Sequence, residues 1–218
     1  SIRWGYVSFN PVSAVKRLKV KNKPIRCLSE EEIYRFLSYC YEQNIWEKYF
    51  YHAMLLTGTR IGELVALSKK QLFFDSKVIL INQIYDPKEH RIKEGTTKNG
   101  KTRTFPINKE LETVLRKSIA GNPTSEFVFC NKDGTMINYK GLSSWRLKCL
   151  CRKVGITGFT VHGFRHTFAS QYMLHGGTIF DLKELLGHSD IRMTMKYAHF
   201  SPNHLKDLAD TVKYGFGE

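Results

Sequence analysis

Between Thr160 and Phe200 the chain carries four side chains suited to phosphate chemistry: His162, Arg165, His188 and Tyr197. A guanidinium grips two oxygens at once and keeps its proton, imidazoles exchange protons near neutral pH, and a phenol carries an oxygen able to form a covalent bond. The flanking residues predict how the four come together. Thr160 is placed as an N-cap, and Phe164, Phe168, Tyr172 and Met173 recur at helical spacing, so one helix carries His162 and Arg165 on the same face. Gly176-Gly177 ends that helix. Thr178 with Asp181 reads as a capped restart whose stripe is Ile179, Leu182, Leu185 and Leu186, and Gly187 closes it just before His188. Ser189 is placed to cap a last short helix that carries Tyr197.

Each residue alone has a plainer reading. Tyr197 is an amphipathic tyrosine, and His188 a cap or a solvated residue. His162 and His166, at i and i+4, are a metal pair by spacing, but the Glu of an H-E-x-x-H motif and any nearby carboxylate or Cys ligand are lacking, so no metal site is expected.

Upstream, Leu28-Ser29-Glu30-Glu31-Glu32-Ile33 is a helix start with Ser29 as N-cap and Glu32 as its capping-box partner. A second helix is expected from about Ile45 to Leu56, broken by Thr57-Gly58-Thr59. Arg60 opens the next helix, beside free backbone N–H groups and a positive dipole end that favour an anion; Glu63, one turn on, offers it an ion pair. From Leu72 to Ile107 the pattern shifts to period two in LFFD, VILINQI and KTRTFPI, which predicts a three-stranded antiparallel sheet. Asn99-Gly100 is the strongest hairpin signal, and Lys98, Lys101 and Arg103 are the cations around it. Asn108 caps a helix that Gly121 ends, Phe127-Val128-Phe129 is at most an edge strand, and Trp145 to Val154 marks a further helix closed by Gly155. The expected fold class is α+β, mostly helical, with that small sheet.

The formal charge of +14 over 218 residues, with a pI near 9.6, points to a polyanionic partner, and nucleic acid fits better than a membrane surface. Cys27, Cys40, Cys130, Cys149 and Cys151 form no C-x-x-C pair and read as reduced thiols. With no apolar run of spanning length and no leader pattern, the expected location is intracellular, in the cytoplasm.

In this order along the chain, TGTRIGEL (57–64), the lysine of TTKNGKTRTFP (96–106), HGFRHTFAS (162–170), LLGHSD (185–190) and the tyrosine of MTMKYAHF (193–200) together resemble the catalytic domain of the tyrosine recombinases, the phage integrase family. The resemblance implies that Arg60 and Arg165 clamp a DNA phosphate and that Lys98 protonates the leaving 5′ oxygen. It further implies that His162 accepts the tyrosine proton or orients the phosphate, that His188 donates a hydrogen bond to it, and that Tyr197 forms a 3′-phosphotyrosyl intermediate. That chemistry requires no metal or nucleotide cofactor. The implied partners are double-stranded DNA and further copies of the protein, a tetramer on DNA for the full-length enzyme.

On this reading, residues 1–27 are the remnant of a linker from a preceding DNA-binding domain and residues 28–200 are the catalytic domain. Residues 201–218 form a tail helix, striped by Leu205, Leu208, Ala209 and Val212, that packs on its own domain or on a neighbouring protomer. Two alternatives stay open, a type IB topoisomerase-like enzyme and a non-catalytic DNA-binding module. A metal-dependent phosphodiesterase wants clustered carboxylates, and this region offers only the scattered Asp181, Glu184 and Asp190.

Overall fold

The structure is a computed structural model that describes residues 2–15, 25–94, 102–137, 139–143 and 145–201. In chain order its helices are α1 (Glu30–Glu42), α2 (Lys48–Thr57), α3 (Ile61–Val65), α4 (Lys109–Gly121), α5 (Tyr139–Ser143), α6 (Trp145–Lys153), α7 (Val161–Leu174), α8 (Ile179–Leu186) and α9 (Arg192–Met195). The strands are β1 (Leu72–Phe73), β2 (Val78–Ile81), β3 (Gln83–Asp86), β4 (Arg91–Glu94) and β5 (Arg103–Pro106).

Local chemistry explains where the helices begin. Ser29 Oγ accepts from Glu32 N at 3.2 Å while Glu32 Oε2 accepts from Ser29 N at 3.0 Å, the reciprocal box expected for α1. Asn108 Oδ1 accepts from Leu111 N at 2.8 Å to start α4, and Thr178 Oγ1 accepts from Asp181 N at 3.1 Å to start α8. α2 starts at Lys48, three residues later than Ile45, because the chain first makes a turn in which Lys48 N donates to the Ile45 carbonyl at 3.1 Å.

Three helices meet on an aromatic cluster. Phe36 of α1, Tyr51 of α2 and Phe164 of α7 lie with ring centroids 5.6 to 5.7 Å apart, Tyr51 stacking on Phe164 and Phe36 meeting both rings edge-on. All three are fully buried, each contributing roughly 1.5–3 kcal/mol by removal from water. α7 thereby becomes the central rod, packed on α2 along one side and on α8 along another.

The expected three-stranded antiparallel sheet is present, in the order β1-β2-β5, with Ile79 opposite Phe105 and both buried. VILINQI is not one strand, however. It breaks at Asn82, whose Oδ1 accepts from Gln71 Nε2 at 2.6 Å, and the chain then forms a second hairpin, β3-β4, with Tyr85 opposite Ile92. Asp86 to His90, expected to be a polar separator, is the turn of that hairpin. Asp86 Oδ1 accepts from Lys88 N at 2.9 Å, and His90 takes the left-handed conformation at φ 54°.

Ser189 does not cap the last helix. Ile191 occupies that N-cap without a side-chain bond, and Asp190 Oδ1 instead accepts from Arg192 N at 2.9 Å. α9 is shorter than expected, so Tyr197 lies just beyond it, at the head of a 3-10 turn over Ala198–Phe200. Phe127 makes only an isolated bridge, to Ser68. Cys40, Cys130 and Cys151 are buried thiols, and no described helix is long and apolar enough to cross a membrane. Lys98 with the Asn99-Gly100 turn, residues 16–24 of the expected linker, and the expected tail helix beyond Ser201 lie outside the described residues.

One core atom conflicts with its surroundings. Tyr51 Oη is buried with no hydrogen-bond partner among the described residues, and an unpaired hydroxyl costs about 1–3 kcal/mol. Tyr51→Phe keeps the ring packing and is therefore expected to raise stability by about 1 kcal/mol, read as a higher urea midpoint at unchanged m-value; a lower midpoint would show that the hydroxyl is satisfied.

Candidate active site

Arg165 is fixed in place by burial and by two backbone carbonyls. It projects from α7 with 2% exposure, donating from Nη1 to the Gly58 carbonyl at 2.9 Å and from Nη2 to the Leu186 carbonyl at 2.8 Å. Gly58 is the C-cap of α2 and Leu186 the last residue of α8, so the guanidinium sits at the negative ends of two helix dipoles. Burial, and after it the charge of Arg60, lowers its pKa to about 9, which still leaves it charged at neutral pH. Its other N–H groups remain to meet a ligand.

Arg60 stands at the N-cap of α3, partly exposed, and is held from behind by Glu63. Glu63 Oε2 accepts from Arg60 N at 2.9 Å, and Oε1 accepts from Nη1 at 3.0 Å. Arg103 on β5 then donates to both oxygens of Glu63, at 3.0 and 2.7 Å, and from Nε to the Leu185 carbonyl at 3.1 Å. Burial raises the Glu63 pKa, but the bonds and charges of Arg103 and Arg60 outweigh it and hold the carboxyl below the usual range. Removing one partner of such a buried group costs about 3–5 kcal/mol.

Arg60, His162 and Arg165 converge on a cleft of about 410 Å³, lined also by Thr59, Thr160 and Tyr85. Thr160 occupies the N-cap of α7 with extended backbone, as expected, but its side chain makes no cap bond. The positive end of this 14-residue helix therefore opens on the cleft between the two arginines, an arrangement that suits a phosphate. A larger hollow of about 660 Å³ between α2 and α4, near Trp46 and Lys117, contains none of these residues.

Tyr197 is wholly buried in a second apolar cluster with Ala169, Met173, Leu182 and Leu186. Burial, partly offset by Arg165, pushes its pKa up to about 12. Its hydroxyl lies 2.6 Å from His166 Nδ1, and the Lys196 ammonium sits 5.0 Å from its ring centroid. His166 in turn packs edge-on against His162, ring centroids 4.6 Å apart. His188 is buried with Nδ1 2.8 Å from Thr194 Oγ1. Burial, then the nearby arginines, takes the His188 pKa down to about 3; burial, then His162, takes that of His166 to about 4. His162 is lowered for the same reasons, burial first and Arg165 next.

The structure thus brings Arg60, His162 and Arg165 to one cleft and sets Tyr197 behind it, through His166. Lys98 lies outside the described residues. His166 and Arg103 are the contributors whose roles the sequence did not reveal. The one available signal was position: His166 lies one turn from His162, and Arg103 falls in the cationic window of the hairpin. His162 and His166, at i and i+4, meet edge to face, and among the described residues no group of three or more His, Cys, Asp or Glu is placed to hold a metal ion.

The buried neutral histidines make stability depend on pH. His166 and His188 ionise well below 6.5 when folded and near 6.5 when unfolded, so the unfolded chain binds more protons in between. Their contribution is complete above about pH 6.5 and lost as pH falls toward 4, at up to ~2.7 kcal/mol per unit for both. Urea midpoints should therefore drop between pH 7 and 5, with a shallower slope in His188→Asn; a flat profile would contradict the burial of these rings.

The Phage integrase family matches residues 26–204. The integrase of Haemophilus phage HP1 is 34% identical over 199 residues, 90% of this chain and 50% of that protein, and the integrase of Escherichia phage 186 is 30% identical over 91% of this chain. The chain thus spans about half the length of such curated relatives. Among solved structures, the catalytic domain of bacteriophage HP1 integrase is 32% identical, with a TM-score of 0.61 over 86% of this chain and 95% of that one. The Tn1549 transposon integrase in complex with transposon right end DNA shares the fold, with a TM-score of 0.74 at 22% identity over 89% of this chain and 66% of that one. With a match across most of its length and a catalytic-domain neighbour covered almost end to end, the chain belongs to the phage integrase family of tyrosine recombinases.

Proposed function

We propose that this chain is the catalytic part of a site-specific recombinase that cuts and rejoins duplex DNA through a covalent link to Tyr197. The observation that carries the reading is the convergence of Arg60 and Arg165 on a cleft at the open N-terminus of α7, with a tyrosine hydroxyl held one imidazole behind it. The net charge of +14 supports a DNA partner bound largely through its phosphates.

In the proposed reaction a scissile phosphate enters the cleft, and the guanidinium groups of Arg60 and Arg165 stabilise charge growing on its non-bridging oxygens. The Tyr197 oxygen bonds to phosphorus and the P–O5′ bond breaks, conserving the ester so that another 5′-hydroxyl can reverse the step. Lys98 is assigned the proton for the departing 5′ oxygen on the strength of the family motif. His162 and His188 are assigned hydrogen bonds to the phosphate. His162 is the exposed ring between cleft and tyrosine, so its rotation onto a phosphate oxygen would open the path to the phenol.

We assign residues 28–200 to this catalytic unit, 1–27 to a linker and 201–218 to a tail that packs on its own domain or on a neighbouring protomer, with the full-length protein assembling as a tetramer on DNA. A non-catalytic binding module would not require a buried arginine with unspent donors, and a DNA-relaxing enzyme differs in returning the same strand.

Arg165→Lys is expected to cut strand cleavage ~10²-fold or more while bulk DNA binding persists, because one ammonium cannot both span two carbonyls and grip two phosphate oxygens. Near-normal cleavage would make Arg165 a scaffold only. A suicide duplex nicked beside the scissile phosphate should trap a protein–DNA adduct in EDTA, and Tyr197→Phe should abolish it without unfolding the chain. An adduct that persists in that variant, or maps to another residue, would falsify the assignment of the nucleophile.

A further inference from the structure

The contact at Tyr197 Oη points to a role for a residue that the phosphate-binding set leaves unused. We propose that His166 is the general base of the cleavage step: Nδ1 takes the proton of Tyr197 as its oxygen bonds to phosphorus, and returns it when the strand is rejoined. The inference rests on the recombinase reading above and adds a named acceptor to it.

Three observations carry it. His166 Nδ1 is the atom found at the hydroxyl, at 2.6 Å, within the range from which a base takes a proton directly. The Arg165 charge acts on both His166 and the Tyr197 hydroxyl, so a phosphate gripped by Arg165 arrives within electrostatic reach of the residue holding the attacking oxygen. His162 lines the cleft one turn away and contacts the ring of His166 rather than the phenol, which leaves it free to turn to the phosphate.

The groups facing His166 are Tyr197 and Lys196 from beyond α9, and His162 and Arg165 from its own helix. Half-burial, and after it the second imidazole and the two cations beside it, keeps the ring neutral near pH 7, and in the tautomer protonated at Nε2 the Nδ1 electron pair faces the phenol. An incoming phosphate adds negative charge beside the same ring and stabilises the imidazolium as it forms. The step balances. The phenolic O–H breaks and its proton goes to Nδ1, the Oη–P bond forms, and the P–O5′ electron pair leaves on the 5′ oxygen, which takes a proton from the separate acid assigned to Lys98.

The test is single-turnover formation of the covalent adduct on a suicide duplex drawn from DNA flanking the coding region, compared for wild type, His166→Asn and His166→Ala between pH 6 and 10. Asparagine places an amide oxygen near the position of Nδ1, so it can accept the hydrogen bond but not the proton. Both variants are expected to be ~10²–10⁴-fold slower at pH 7, the usual range for loss of a general base, with the deficit shrinking as rising pH deprotonates the phenol directly. A duplex with a sulfur at the bridging 5′ position, whose thiolate leaves without a proton, should rescue Lys98→Ala but neither His166 variant.

Wild-type rates in His166→Asn would reduce His166 to positioning the phenol. A deficit that is constant with pH, in variants with an unchanged urea midpoint, would make its role structural. Rescue of the His166 variants by the sulfur substrate would move it to the leaving-group side. Absence of any adduct from wild type would remove the recombinase reading and this proposal together, whereas a wild-type adduct with unimpaired His166 variants removes only the proposal.

Discussion

The architecture turns on a buried guanidinium held between the ends of two helices. Arg165 reaches the Gly58 carbonyl, where α2 ends, and the Leu186 carbonyl, where α8 ends. A cation this deep is tolerable only where fixed dipoles replace the water it has lost. That requirement reaches back into the backbone, because both helices stop on a glycine in the left-handed region, Gly58 at φ 57° and Gly187 at φ 65°. At Gly58 the need is also steric, since a Cβ would lie 2.4 Å from the Phe168 ring. The apolar core and the charged site are therefore one construction: Phe168 and Arg165 project from the same helix, and the turn that presents a carbonyl to one has no room for a side chain beside the other.

Charge is distributed unevenly around this point. Arg60, Arg103 and Arg165 surround one fully paired carboxylate, Glu63, and the imidazoles near them are neutral because burial disfavours their charged form and, after it, the arginines repel a further positive charge. The result is a cleft with surplus positive potential and few internal acceptors to spend it on, a state favourable for an anion and costly without one. Stability comes from elsewhere, from the buried apolar core to which Phe36, Tyr51 and Phe164 belong, so the site is free to keep donors for a ligand.

Much of this was legible in the sequence because it is local. The Ser29, Asn108 and Thr178 caps, the stripe of α7, the Arg60 to Glu63 contact and the three-stranded sheet all depend on neighbours within a few residues or on period. What escaped has two causes. β4 reads RIKE, with Ile92 alone to mark alternation, so its pairing with β3 left no hydrophobic signature. The bonds of Arg103 to Glu63 and of Tyr197 to His166 join residues 40 and 31 positions apart, and no periodic pattern encodes a contact of that kind. α9 differs from the expected helix at its start because Asp190, rather than Ser189, supplies the side-chain bond there.

The Arg103 contacts have a consequence for how the sheet relates to the helices. One side chain on β5 holds α3 through Glu63 and α8 through the Leu185 carbonyl, and Gly187 approaches so closely that a Cβ there would lie 3.0 Å from its Nη1. The start of β5 is thus bolted to α3, which Arg60 opens, and to α8, whose end holds Arg165. Exchanging β5 between relatives would replace this tie rod, so a working chimaera has to carry Glu63 and Arg103 as a pair, whereas position 185 supplies only its main-chain carbonyl.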